Sequence, residues 1–182
     1  MAKTGVEIIG SVLVSLVCFH SFAQAPVKPK VEVLVFLGSE CPISQKYMSR
    51  LNDMASKYDG TVKWTGLIAE NVKASVVKKF VLDYKAKFSI KKDDGFILAQ
   101  KYHAEITPQV FVVVDSKVKY KGAIDNWFYE LGRYRTETTE HYLMNTLDAI
   151  LKGEEPTIKE TESIGCLIEV PSQEKNAAPH KH

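Results

Sequence analysis

The chain has 182 residues, 45% of them hydrophobic and 25% charged, with 24 Lys and Arg against 22 Asp and Glu for a formal net charge of +2. That length suits one soluble globular domain whose core needs no disulfide staple. The near-neutral balance excludes the strong basic field of a nucleic-acid binder, so no nucleic-acid partner is expected.

The first 25 residues differ from the rest. Lys3 supplies a short positive region, Val6 to Phe22 is a compact apolar run, and SFAQA offers small-residue cleavage sites after Ala23 or Ala25. This is the pattern of a signal peptide, placed at 1–25, with a Pro- and Lys-containing spacer at 26–30. An uncleaved anchor is the competing reading, but the run is short for a span and carries Ser11, Ser15 and His20. A lipid-attachment site at Cys18 is disfavoured because Val17 precedes it, where a small residue is needed. The expectation is an exported protein, periplasmic or extracellular, with no stable membrane insertion after cleavage. Of the three cysteines, Cys18 leaves with the signal, and Cys41 and Cys166 remain. Outside the cytosol, such a pair is oxidised or redox-active more often than permanently free.

The domain proper is placed at 31–170. Val31 to Leu37 reads as an apolar strand, which passes through Gly-Ser-Glu into Cys41 and a helix over Pro42 to about Lys57. Ile43, Tyr47, Leu51, Met54 and Tyr58 fall on one face of that helix. A thiol at a helix N-terminus feels unpaired N–H groups and the positive end of the helix dipole, both of which favour the thiolate. Pro42 suits the first helical position. Glu40 opposes ionisation by like charge.

Val62 to Ala69 is a second strand and Lys73 to about Lys87 a second helix, with Val77, Phe80, Val81 and Tyr84 inward and Lys78, Lys79, Lys85 and Lys87 on a solvated face. Phe88 to Ile90 is a brief strand, and Phe96 to His103 a short helix. Thr107-Pro108 abuts the strand Gln109 to Asp115; a proline there marks the strand's first residue or a special turn that tolerates a cis bond. Val118 to Lys121 completes a hairpin. Gly122 to Arg135 is a long aromatic-rich connection without a clean period, and Thr138 is the expected N-cap of a last helix bearing Leu143, Leu147, Ile150 and Leu151. The tail, 171–182, is expected to be disordered.

This order of elements, with SECPIS, ITPQVFVVVD, GAIDN and TESIGC, resembles the thioredoxin-like superfamily, and within it the secreted redoxins grouped with the alkyl hydroperoxide reductase and thiol-specific antioxidant proteins. The resemblance spans roughly 31–152. It implies an α/β fold with a central mixed sheet of four or five strands, helices on both faces, a C-terminal tail extension, and Pro108 in cis beside Cys41. It also implies that Thr107, Pro108 and Pro42 border the substrate thiol, with Thr107 offering backbone hydrogen bonds to an extended partner peptide. Three departures matter. Position 44, where a dithiol motif has its second cysteine, holds Ser44; position 45, the place of a copper chaperone's second cysteine, holds Gln45. Where a peroxiredoxin has Thr and Pro before its peroxidatic cysteine, this chain has Gly38 and Leu34.

Cys41 and Cys166 are therefore the candidate catalytic pair. Exchange needs an attacking thiolate and a resolving thiol close in space, with no requirement on sequence separation. A redox-cycling pair, a fixed structural disulfide and two unrelated thiols all remain open. His103 is a candidate metal ligand beside Cys41, but two candidate ligands are too few; no metal and no cofactor are expected. Asp125, Trp127, Phe128 and Arg133 belong to a group that either docks a partner protein or plugs the core, and one of the arginines is a candidate to support the thiolate. The function read from all this is thiol–disulfide exchange with protein thiols or disulfides as partners and an extracytoplasmic reductant. An atypical thiol peroxidase and a non-enzymatic binding module are the alternatives.

Overall fold

The computed structural model describes residues 29–170. The expected signal peptide, most of the spacer and the expected disordered tail lie outside the described residues.

The elements follow as β1 (Val31–Leu37), α1 (Pro42–Lys57), β2 (Val62–Ile68), α2 (Ala74–Asp83), β3 (Ser89–Lys92), α3 (Ile97–Tyr102), β4 (Ile106–Thr107), β5 (Gln109–Val114), β6 (Lys117–Gly122), β7 (Phe128–Glu130), β8 (Arg133–Tyr134), α4 (Tyr142–Leu151) and β9 (Cys166–Leu167). Five strands form one mixed sheet in the order β3-β2-β1-β5-β6, within the four or five expected. β1 is parallel to β2, β2 to β3, and β5 runs antiparallel to both β1 and β6.

Residues alternate sides along a strand, and β1 is apolar on both, which is what a central strand covered on both faces requires. Val31, Val33, Val35 and Leu37 join the cluster filled by α1, α4 and the inward residues Val77 and Phe80 of α2. Leu34 and Phe36 join the second cluster, on the opposite face, with Phe96, Ala99 and Phe111. No helix among the described residues is long and apolar enough to cross a membrane.

Three boundaries differ from expectation, each because a side chain outside the element binds its terminal backbone groups. α2 stops at Asp83 rather than near Lys87. Asn52 of α1 donates to the Tyr84 and Lys85 carbonyls (3.1 and 3.2 Å) and accepts from the Lys87 N–H (2.9 Å), with Lys85 turned to φ +48. The segment from Phe96 begins with a 3₁₀ turn over Asp94–Phe96, and the Asp93 carboxylate accepts from the Leu98 and Ala99 N–H groups at 2.9 and 2.7 Å. Thr138 does not cap the last helix, which starts at Tyr142; its hydroxyl accepts a bond from Arg50 Nη1 at 2.8 Å. The entry to α4 is instead held by Asn126 Oδ1, which accepts from the Thr139 and Glu140 N–H groups, each at 3.1 Å. The aromatic connection contains the small hairpin β7–β8, too short to leave a period in the sequence.

Candidate active site

Cys41 is buried at the β1–α1 junction, where it occupies the N-cap position with φ −72 and ψ 114, and Pro42 takes the first turn. The loop before it, Gly38-Ser39-Glu40, is held from three sides. Gly38 N–H donates to Ser44 Oγ (3.1 Å), Gln45 Nε2 donates to the Ser39 carbonyl (2.9 Å), and the Ser39 N–H donates to Glu70 Oε1 (2.9 Å) while its hydroxyl bonds Oε2 of the same carboxylate. Ser44 and Gln45, the two positions where related motifs place a second cysteine, are thus committed to shaping this loop. Glu70 reaches it because β1 and β2 are parallel with Leu37 opposite Ile68, so the residues that follow each strand emerge at the same edge.

Cys166 arrives from the far end of the chain. β9 pairs antiparallel with β4, placing Cys166 opposite Thr107 and Leu167 opposite Ile106. The Thr107–Pro108 bond is cis, and the Thr107 carbonyl accepts a hydrogen bond from Cys41 Sγ at 3.1 Å while Thr107 Oγ1 donates to the Cys166 carbonyl at 3.3 Å. The two sulfurs lie 2.6 Å apart as free thiols, 125 positions apart in sequence, with Cys166 donating to Cys41.

Two glycines permit this convergence. A Cβ at Gly38 would lie 2.7 Å from Cys41 Cβ and 2.8 Å from Thr107 Oγ1, and one at Gly165 would lie 2.1 Å from the Thr107 carbonyl oxygen.

The thiols are driven in opposite directions. Burial pushes the Cys41 thiol up, but hydrogen bonds from the Cys166 thiol, from the Ser44 N–H and hydroxyl, and from the Ile43 N–H outweigh it and hold Cys41 below the ordinary thiol range. Burial, then the hydrogen bond to Cys41 and the negative charges of Cys41 and Glu70, push Cys166 up to about 12. Of the reduced pair, Cys41 is therefore the thiol that ionises first, and Cys166 holds its proton to higher pH.

Of the residues singled out from sequence, Cys41, Pro42, Thr107, Pro108 and Cys166 meet here. Glu40 is exposed. The influences that lower the Cys41 pKa are hydrogen bonds from Cys166, Ser44 and Ile43 rather than a charge from the aromatic connection. Asp125 and Phe128 are buried, so the core-plug reading, rather than partner docking, describes these two. Asp125 accepts from the Tyr47 hydroxyl (2.5 Å), Arg50 Nη1 (2.9 Å) and the Trp127 N–H (2.9 Å), while Phe128 packs on Tyr47. Trp127 is half-buried beneath the Arg50 guanidinium, 4.0 Å from its ring centroid, and Arg133 is exposed and paired with Glu130 on the β7–β8 hairpin. His103 ends α3 in a left-handed conformation, and among the described residues no group of three or more His, Cys, Asp or Glu is placed to hold a metal ion. Ser39 and Glu70 escaped the sequence reading. No sequence signal points to Glu70, which reaches the loop only because β2 runs parallel to β1.

A mixed sheet of this order, helices on both faces, and a junction cysteine facing a cis-proline at the start of β5 define a thioredoxin-like α/β protein. The AhpC/TSA family model matches residues 19–121, and the chain belongs to that family. Among solved structures it is similar to a hypothetical protein from Sinorhizobium meliloti 1021, at 24% identity and a TM-score of 0.70, over 80% of this chain and 82% of that one. It is also similar to an uncharacterized conserved protein from Geobacillus kaustophilus, at 24% identity and a TM-score of 0.66, over 79% of each chain. No curated protein matches the chain.

Proposed function

We propose that this protein is an exported thiol–disulfide oxidoreductase in which Cys41 is the attacking thiolate and Cys166 the resolving thiol. The observation that carries the reading is the sulfur pair itself, 2.6 Å apart with Cys41 lowered and Cys166 raised. The Cys41 thiolate attacks one sulfur of a partner disulfide, so a mixed disulfide forms and the partner's other sulfur leaves as a thiolate. Cys166 then gives up its proton and attacks Cys41 Sγ, which closes the Cys41–Cys166 disulfide and expels the partner's second thiolate. Two electrons pass from the chain to the partner, and an extracytoplasmic dithiol reductant restores the starting pair. Thr107, Pro108 and Pro42 line the approach to Cys41.

Gly38 argues against the peroxidase alternative. The β-carbon of a threonine at that place would crowd Cys41 and Thr107, so the hydroxyl that would orient peroxide has no room there.

Equilibration of the mature protein in glutathione buffers, followed by alkylation and intact mass, tests the reading. The expected result is reversible conversion between a dithiol form and a form lighter by two protons while the fold persists. A disulfide that resists reduction until the protein unfolds would replace exchange by a structural staple. The same masses locate the signal cleavage site.

A further inference from the structure

We propose that residues Ser163–Ile168 form a displaceable strap, a tethered stand-in for the partner's cysteine-bearing segment, and that the groove it fills selects a segment with an apolar residue, then glycine, then cysteine. This rests on the exchange reading above and names the partner chemistry of the same site.

The strap leaves the body of the domain at Thr161, which is firmly held. The Thr161 N–H donates to the Lys121 carbonyl (3.1 Å), its hydroxyl bonds the Tyr120 hydroxyl (2.6 Å), and it lies against Gly122 where a Cβ would not fit. Beyond that anchor the contacts are those of a peptide laid in a groove. Ile164 closes a small cavity of Tyr47, Pro108, Ile124 and Phe128. Gly165 passes the Thr107 carbonyl where no side chain has room. Cys166 meets Cys41, and the Ile168 N–H donates to the Glu105 carbonyl at 2.8 Å. β4 has β9 as its strand partner, so lifting the strap opens an unpaired edge beside Cys41.

Two features favour lifting. Leu167 is 75% exposed, so half of the two-residue β9 contributes little burial. Ser163 Oγ is buried without a hydrogen-bond partner, a cost that release removes. Release is also required: Cys41 is only 4% exposed under the strap, and a partner sulfur must come to the place Cys166 holds. The strap and the partner compete for one groove. When the strap returns, Cys166 attacks Cys41 Sγ, the Cys41–partner disulfide breaks, and the partner leaves as a thiolate while its segment is evicted from β4.

The full chain carrying Cys166→Ser is mixed with peptides of residues 162–169, ESIGCLIE, whose cysteine bears a thionitrobenzoate disulfide. Cys41 attack on the peptide sulfur releases thionitrobenzoate, which is followed by absorbance. ESIGCLIE is expected to react about tenfold or more faster than ESIVCLIE and ESSGCLIE, since a lost apolar anchor or a clash removes binding made in the groove. Adding Gly165→Val, or Ile164→Ser as a second strap variant, is expected to speed the ESIGCLIE reaction about tenfold by clearing the groove. Equal rates for the three peptides, or no acceleration by either strap variant, overturn the proposal. A readout independent of reactivity is hydrogen exchange at the Ile168 amide of the wild-type chain, expected to be about tenfold faster in the reduced than in the disulfide form. Equal protection in both overturns the strap. Failure of the exchange reading looks different: Cys41 inert to free dithionitrobenzoate even in the Gly165→Val chain, whatever the Ile168 amide does.

Discussion

The Cys166 thiol donates a hydrogen bond to Cys41 Sγ across 2.6 Å, and that bond is the largest of the influences lowering the Cys41 pKa. Cys166→Ala removes the donor and leaves burial less opposed, so the Cys41 pKa is expected to rise. The check is the pH dependence of Cys41 alkylation by iodoacetamide, read by mass. Cys166→Ser, which keeps a hydroxyl donor, should fall between the two, and an unchanged midpoint in Cys166→Ala would refute the assignment.

Glu70 acts on the other thiol. Its charge adds to burial and to the Cys41 interaction in raising Cys166. In a Cys41→Ser background, where the partner thiolate is gone, Glu70→Gln should lower the pH at which Cys166 alkylates. A midpoint unmoved by the substitution would mean that the carboxylate serves only to hold Ser39.

Gly38 marks where Cys41, Thr107 and Glu70 meet, with a Cβ there at 2.7, 2.8 and 3.0 Å from them. Gly38→Ala should destabilise the fold by about 1–3 kcal/mol, the usual range for overpacking. It should also push Cys41 from Thr107 and weaken formation of the Cys41–Cys166 disulfide. Urea denaturation and the glutathione equilibrium measure the two effects separately.

Asp125, fully buried in its side chain, pairs with Arg50, whose side chain is 32% exposed. Asp125→Ala leaves Tyr47 and Arg50 without their partner, and the expected loss is about 3 kcal/mol, the low end for a broken buried pair because Arg50 can still reach water. A loss below the error of a urea titration would show that water replaces the carboxylate.

Alkaline pH tests the same cluster with a definite sign. Burial, then the charge of Asp125 and the hydrogen bond to it, raise the Tyr47 phenol above the ordinary tyrosine range. The folded state therefore holds that proton better than the unfolded chain does. Its contribution is complete below about pH 10 and is lost as pH rises through the folded value. Tyr47→Phe should cost about 1–3 kcal/mol at neutral pH, by removing one of the three donors to the buried carboxylate, and should make the fall in stability above pH 10 shallower. Urea titrations across that range decide it.

What the amino-acid order determined is the part of the molecule that depends on neighbours along the chain. The apolar run Val31–Leu37, Pro42 behind Cys41, the one-sided pattern of α1 and the proline before β5 each state their local geometry, because strand burial, helix entry and a missing N–H are local physics. Reading them together was enough to place a reactive-cysteine candidate at a strand–helix junction. The ends of α2 and α4 were not legible, since Asn52 and Asn126 set them from elsewhere in the fold. Nor was the site itself complete. Cys166 meets Cys41 only because β9 adds to β4, Glu70 meets Ser39 only because β1 and β2 run parallel, and Gly165 is needed only because a backbone from the chain's far end crosses Thr107. Contacts 31 and 125 residues apart carry no period and no spacing that a sequence can display. Sheet topology brings them together, and topology is decided by which faces of the whole chain can be buried at once.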